Sequence, residues 1–267
     1  MSNLHVCDND NLNADDKYAK VRPLFDALNK TFFDYAPHEE HHSVDESMVP
    51  YFGRHGLKQF IRNKPIRYGY KIWVGATPNG YVVWKDPYQG SSHTLDPQYE
   101  HLGLGASVVL QYCDVLKKNG DFPYFLYFDN FFSGLPLFEK LSQKNIRAIG
   151  TVKRFSLKAK KHAFIPQPNL IHQYNKKMGG VDRCDQNMSL YRIQIRGKKW
   201  YFPLICDCID SAEQNAWQLH RHAGGNLDHL SFRRRLACNL LETFGKGKSK
   251  RDVGIAMPSA LPDAKSV

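Results

Sequence analysis

Four aspartates in this chain have the type and placement to hold divalent cations. Asp45 lies in Ser-Val-Asp-Glu-Ser-Met, Asp129 ends an apolar run in Tyr-Phe-Asp-Asn, Asp182 follows Gly-Gly-Val, and Asp185 comes three residues later. In-line cleavage or strand transfer at a phosphodiester uses two oxygen-ligated ions about 4 Å apart, one activating the nucleophile and one stabilising the leaving oxygen. Hard Mg²⁺ prefers such carboxylates while keeping several waters, and Mn²⁺ can substitute for it. Without an ion, the same acids would repel one another and push at least one pKa upward. Each also has a plainer reading. Asp182 and Asp185 suit a helix N-terminus, worth roughly 0.3 to 1 kcal/mol, and Asp129-Asn130 suits a turn after a strand. Their joint placement is what points to chemistry.

The elements that must position these acids show in the hydrophobic periodicity. Residues 17–33 carry apolar side chains at helical spacing. Extended stretches follow at 43–51, 68–76 and 80–87, the last two joined by the turn signal Thr77-Pro78-Asn79-Gly80. Residues 104–118 read as a helix stopped by Asn119-Gly120, and the almost continuous apolar run 122–128 suits a strand buried on both faces. A helix at 134–145 and a strand at 146–152 come next. The rest is helical at 170–178, after Gly179-Gly180, at 203–222 and at 230–244, with a tail beyond Gly245 expected to be disordered. The order βββαβαβ followed by helices is that of an α/β, RNase H-like core: a mixed five-stranded sheet flanked by helices, with further C-terminal helices. In that fold acids on the first strand, after the fourth strand and on a late helix converge, which are the positions of Asp45, Asp129 and Asp182. The expected domains are a polar lead with a short helix over 1–36, the core over 37–223, and a terminal helix with a basic tail over 224–267.

Composition narrows the partners. With 37 Lys and Arg against 26 Asp and Glu in 267 residues, the formal charge is +11, which favours a polyanion. No apolar run approaches the roughly 18 residues that span a bilayer, so DNA is the expected partner rather than a membrane. The first sixteen residues are polar and acidic, unlike a secretory signal, and the chain reads as intracellular with reduced thiols. The six cysteines form no C-x-x-C pair, so no zinc site is expected. His41 and His42, adjacent on a strand, point to opposite faces and cannot both reach one ion.

Basic residues cluster between the first two strands at Arg54, Lys58, Arg62, Lys64, Arg67 and Lys71. A second cluster contains Arg192, Arg196, Lys198, Lys199 and Trp200. Lysine and arginine neutralise phosphates, and an adjacent aromatic can stack on a base for roughly 1 to 3 kcal/mol. Arg54, Lys58, Arg62, Lys64, Lys71, Lys198, Lys199 and Trp200 are therefore the candidate DNA-binding residues, with a core position for Trp200 the equal alternative. A third run at 153–161 reads as a solvated loop. Lys246, Lys248, Lys250 and Arg251 could act as a nuclear import signal.

Several segments together carry a resemblance to a known family. These are His-His-Ser-Val-Asp-Glu-Ser-Met, Asn-Lys-Pro-Ile-Arg-Tyr-Gly-Tyr-Lys, Phe-Asp-Asn-Phe-Phe-Ser, and Tyr-Asn-Lys-Lys-Met-Gly-Gly-Val-Asp-Arg-Cys-Asp-Gln. Over residues 16–244 the chain resembles the DDE transposase domain of piggyBac elements and their domesticated derivatives. The resemblance implies catalytic roles for Asp45, Asp129 and Asp182, with Asp185 as the accompanying acid. It also implies cut-and-paste DNA transposition at TTAA targets in the nucleus, and it places Trp200 near the DNA end. Two departures stand out. The β-rich insertion that family members carry is shortened near 152–179, and the family's N-terminal dimerisation region and cysteine-rich zinc domain have no counterpart here. The expectation is a truncated two-metal phosphoryl-transfer core, with a homodimer or a partner supplying the missing end-binding modules. The alternative is a catalytically inactive module that binds DNA or chromatin.

Overall fold

The computed structural model describes residues 4–62, 64–93, 95–151, 169–194, 197 and 199–245. The basic run at 153–161, Arg196, Lys198 and the tail beyond Gly245 lie outside the described residues. The elements are α1 (Arg22–Asp34), β1 (His41–Pro50), β2 (Gln59–Phe60), β3 (Tyr68–Ala76), β4 (Val82–Pro87), α2 (Leu104–Lys117), β5 (Phe125–Phe128), α3 (Leu135–Gln143), β6 (Arg147–Gly150), α4 (Asn169–Lys177), α5 (Gly180–Leu190), α6 (Phe202–His222) and α7 (His229–Phe244). No helix among the described residues is long and apolar enough to cross a membrane.

β1 is central. It pairs antiparallel with β3, from Ser43 opposite Ala76 to Pro50 opposite Gly69, and parallel with β5, which pairs parallel with β6. β4 and the two-residue β2 share the other edge of β3. The sheet is thus mixed and five strands wide, with the order and directions of an RNase H-like core. β2 was not anticipated from the sequence.

Side-chain alternation on β3 explains why both faces of the sheet are covered. Tyr70, Ile72, Val74 and Ala76 join a core with α1, α5 and α6 residues such as Phe25, Val181 and Leu204. Trp73 faces the opposite core, with Val109, Tyr112 and Leu116 of α2 and Leu137 of α3. Fully burying a large apolar side chain is worth about 1.5 to 3 kcal/mol. The sheet therefore needs helices on both faces. Helix starts follow local rules: a proline opens the first turn of α1, α3 and α6, and Asp228 caps α7 by accepting the Ser231 amide at 2.7 Å.

One charged pair sits inside. Lys85 of β4 and Asp207 of α6 are both buried and bonded to each other, and the Lys85 ammonium also donates to the Ser211 hydroxyl at 2.9 Å. Burial works against the Lys85 charge, but Asp207 outweighs it and holds the lysine pKa above its ordinary value.

His42 is buried as the alternation on β1 requires. Its Nε2 lies 3.0 Å from the Glu39 carbonyl and its Nδ1 2.8 Å from the Tyr112 hydroxyl, while His41 on the other side meets Tyr127. An N–H on Nε2 lets both bonds form in the neutral ring. Burial pushes its pKa down to about 4, against the bond to Glu39. The unfolded chain therefore takes up a proton that the folded chain refuses. This contribution to stability is complete above about pH 6.5 and is lost as pH falls toward 4. Between pH 7.5 and 5 the wild type should lose on the order of 1 to 2 kcal/mol more than His42→Gln in urea denaturation. Equal losses would refute the assignment.

Candidate active site

Parallel pairing of β1 with β5 ends at Val44 opposite Phe128. One residue further, Asp45 continues along β1 while Asp129 leaves β5, so the two acids are next in line on strands that lie roughly 5 Å apart where they pair. Asp45 accepts the Glu46 amide at 2.8 Å. Asp129 folds the next turn around itself: its carboxylate accepts the Phe131 amide at 2.8 Å and its carbonyl the Ser133 hydroxyl at 2.9 Å.

The third acid arrives on α5, which packs across β1 and β3. Its start is pressed onto the turn after β3. A Cβ on Gly180 would stand 2.3 Å from the Thr77 carbonyl oxygen, so only glycine permits the approach. Asp182 follows in the first turn, exposed and close enough for its charge to raise the Asp45 pKa. Asp185, one turn on, is drawn inward, where its carboxylate accepts the Ser47 hydroxyl at 2.7 Å. Burial pushes its pKa up to about 6, against the Ser47 bond.

Burial first, and then the charges of Glu46 and Asp182, push Asp45 up to about 7, while Lys64 and the Glu46 amide pull the other way. Glu46 was not singled out from the sequence, yet it organises the cations here. Lys64 lies 3.2 Å from one of its oxygens and Lys71 3.9 Å from the other. Burial works against the Lys64 charge, but Asp45 and Glu46 hold its pKa above the ordinary lysine value. Lys71 is pushed down, chiefly by burial. Its ammonium sits 3.9 Å from the Trp73 ring centroid and 4.9 Å from that of Phe131. Tyr174 of α4 donates to the Phe128 carbonyl at 3.3 Å, near enough to Asp129 and Asp45 to feel both charges. The signal for Glu46 was its place beside Asp45. Strand alternation sends it to the opposite side, which is why spacing alone did not group the two.

A cleft of about 430 Å³ opens at this place, lined by Glu46, Met48, Lys64, Asp182, Asp185 and Arg192 among others. The acids on its wall are Glu46, Asp182 and Asp185, whereas Asp45 and Asp129 are not among its lining residues. All are hard oxygen donors, and the Asp45 carboxyl, raised to about 7, is in the state that a divalent cation relieves. That chemistry fits Mg²⁺. Among the described residues, no three of the acids already stand close enough to ligate one ion.

Of the candidate DNA-binding residues, Arg54 and Arg62 are exposed, as is Arg67 in the same belt. Lys58 lies 5.8 Å from the Tyr68 ring, and Lys199 lies 5.7 Å from that of Tyr201. Lys64 and Lys71 turn inward to Glu46, and Lys198 lies outside the described residues. Trp200 is half-buried and stacks on His55 at 4.2 Å, with Tyr18 and Tyr70 against it.

Comparison with known proteins identifies the family and the fold. A family described as Transposase IS4 matches residues 1–163 and 155–217. Human PiggyBac transposable element-derived protein 3 is 40% identical over 305 residues, covering 92% of this chain and 51% of its own length. Human PiggyBac transposable element-derived protein 2 is 37% identical over 317 residues, covering 94% and 53%. The chain thus spans about half the length of these curated relatives. The cryo-EM structure of a piggyBac transposase synaptic complex with hairpin DNA superposes with a TM-score of 0.72 at 21% identity, covering 89% of this chain and 60% of that one, which establishes a shared fold. On the family match and these relatives, the chain belongs to the piggyBac transposase family.

Proposed function

We propose that this chain is a DNA strand-cleaving and strand-transferring core in which Asp45, Asp129 and Asp182 hold Mg²⁺ or Mn²⁺, with Asp185 as the accompanying acid. The observation that carries the reading is the parallel register that ends at Val44 and Phe128. Asp45 and Asp129 are the next residues on those two strands, and the packing of α5 on β1 leaves Asp182 near enough for its charge to reach Asp45, which supports the reading. Bound ions would activate the attacking water or 3′-hydroxyl and stabilise the leaving oxygen. The chain's own residues do the rest. Asp45 must be ionised to act, and Lys64 favours that form. Exposed Arg54, Arg62 and Arg67 meet phosphates, so binding weakens steeply with salt. The relative solved with hairpin DNA supports DNA as the partner. TTAA as the target, the nucleus as the location, and a homodimer or partner completing the assembly belong to the same proposal.

A second reading, a DNA-binding module without catalysis, draws on Asp185 being tied to Ser47 and on the acids not yet standing in a ligating set. Nicking of a labelled TTAA-containing duplex in Mg²⁺ or Mn²⁺ at low salt separates the two. Cleavage by the wild type that is lost in both Asp45→Asn and Asp129→Asn is the expected result. Salt-sensitive binding with no cleavage would establish the second reading.

A further inference from the structure

The aromatic two residues after Asp129 is only partly covered by the described residues. Phe131 is half-exposed at 47%, whereas Trp73, on which it stacks at 5.6 Å and 21°, is fully buried. Phe132 meets its edge at 5.1 Å and 89°. The buried indole holds the ring by stacking, the Lys71 ammonium lies 4.9 Å from its centroid, and about half of the side chain stays exposed.

The turn that presents it is fixed. The Phe131 amide is bonded to the carboxylate of Asp129, the Phe132 amide to the Asp129 carbonyl at 3.3 Å, and Ser133 closes on the same carbonyl. From the other side α2 presses in: a Cβ on Gly105 would stand 2.7 Å from the Phe131 carbonyl oxygen, so a glycine is needed there. The ring orientation is therefore set before any ligand arrives, and little rotamer freedom remains to be lost on binding. An isolated exposed aromatic is ordinary. This one is held in a parallel stack, on the same Asp129–Phe132 turn as a candidate catalytic acid and beside the Lys71 ammonium.

We infer that Phe131 is a stacking platform for an unpaired nucleobase of the DNA, next to the phosphate that Asp45 and Asp129 address. The inference rests on the proposed DNA chemistry and extends it to a positioning residue. A base laid on the exposed part of the ring extends the Trp73–Phe131 stack two residues from Asp129. Stacking of this kind is indifferent to base identity because every base offers a π-face. It needs the base out of the helix, so the platform favours DNA that is already unpaired or easily unpaired.

The test needs neither metal nor cleavage, so its failure is distinct from failure of the catalytic reading. Two 20-base-pair duplexes are compared in EDTA, one fully paired and one with a single unpaired 2-aminopurine. The wild type should bind the second more tightly and quench its fluorescence. Phe131→Ala should bind it about 5- to 100-fold more weakly, with the quench gone and the paired duplex bound as before. Phe131→Trp should restore both affinity and quench. Thermal melting of each variant checks that the fold is intact. Equal weakening toward both duplexes, or a quench that survives Phe131→Ala, would overturn the inference. No binding of either duplex by the wild type would overturn it along with the DNA reading.

Discussion

Asp207→Ala is expected to cost about 3 to 5 kcal/mol of folding stability, a large share of the 5 to 15 kcal/mol typical of a domain. The reason is the Lys85 ammonium. It lies on the edge strand beneath α6, at 3% exposure, with Asp207 as its counter-ion and the Ser211 hydroxyl as a further partner among the described residues. Removing the carboxylate leaves a cation in the core that must either stay charged without a partner or give up its proton. The pair itself is worth far less, because taking both ions out of water offsets most of their attraction. Replacing both at once, Lys85→Met with Asp207→Leu, should come close to the wild type. Urea midpoints of the three proteins decide the matter, and a single variant that loses under about 1 kcal/mol would remove the pair from the account of the fold.

Asp45→Asn should have the opposite sign. With Asp45 raised to about 7 against an ordinary 3.8, the folded chain binds a proton that the unfolded chain has released, so stability from this group falls as pH rises from about 4 to about 7. Below that window the carboxyl costs nothing; above it the full cost of a crowded charge is present. The asparagine variant carries no such cost. In EDTA, its advantage over the wild type should grow by on the order of 1 to 2 kcal/mol between pH 5 and pH 8, a figure reduced for the water that reaches a half-buried side chain. Saturating Mg²⁺ should reverse the order at pH 8, since an ion at 100 times its dissociation constant adds about 2.7 kcal/mol to the protein that binds it. Calorimetric melting at both pH values is the measurement. A variant less stable than the wild type at pH 8 without metal would mean that the carboxylate holds the fold together.

How much of this could be read from the chain depended on where patterns are local. β3 was legible to the residue because Tyr68–Ala76 is rich in aromatic and β-branched side chains between turn signals. β1 begins two residues earlier than its pattern suggested. His41 and His42 look polar in sequence, but find Tyr127, Tyr112 and a backbone carbonyl in space. The apolar run 122–128 overstates β5, since Phe122 and Tyr124 spend their amides on tight turns before the ladder begins at Phe125. β2 is too short to leave a pattern at all. The positions of Asp45, Asp129 and Asp182 on their elements followed from element order. The inward pull on Asp185 did not, because it depends on Ser47, far away in sequence. Lys85 was unreadable for the same reason: a lysine on an edge strand reads as a solvent-facing residue until α6 is known to cross it.

The long separation between the strands that carry Asp45 and Asp129 has a consequence for biosynthesis. Their pairing is parallel, so β5 must be made and returned to β1 before the two acids become neighbours, and α5 emerges later still. Such non-local closure is slow compared with helix formation. On the proposed reading, a chain still being translated thus displays its acids apart from one another and can touch nucleic acid before it can cut it. Any hydrolytic competence this fold possesses is deferred until synthesis has passed α5, a built-in delay that comes from sheet order alone.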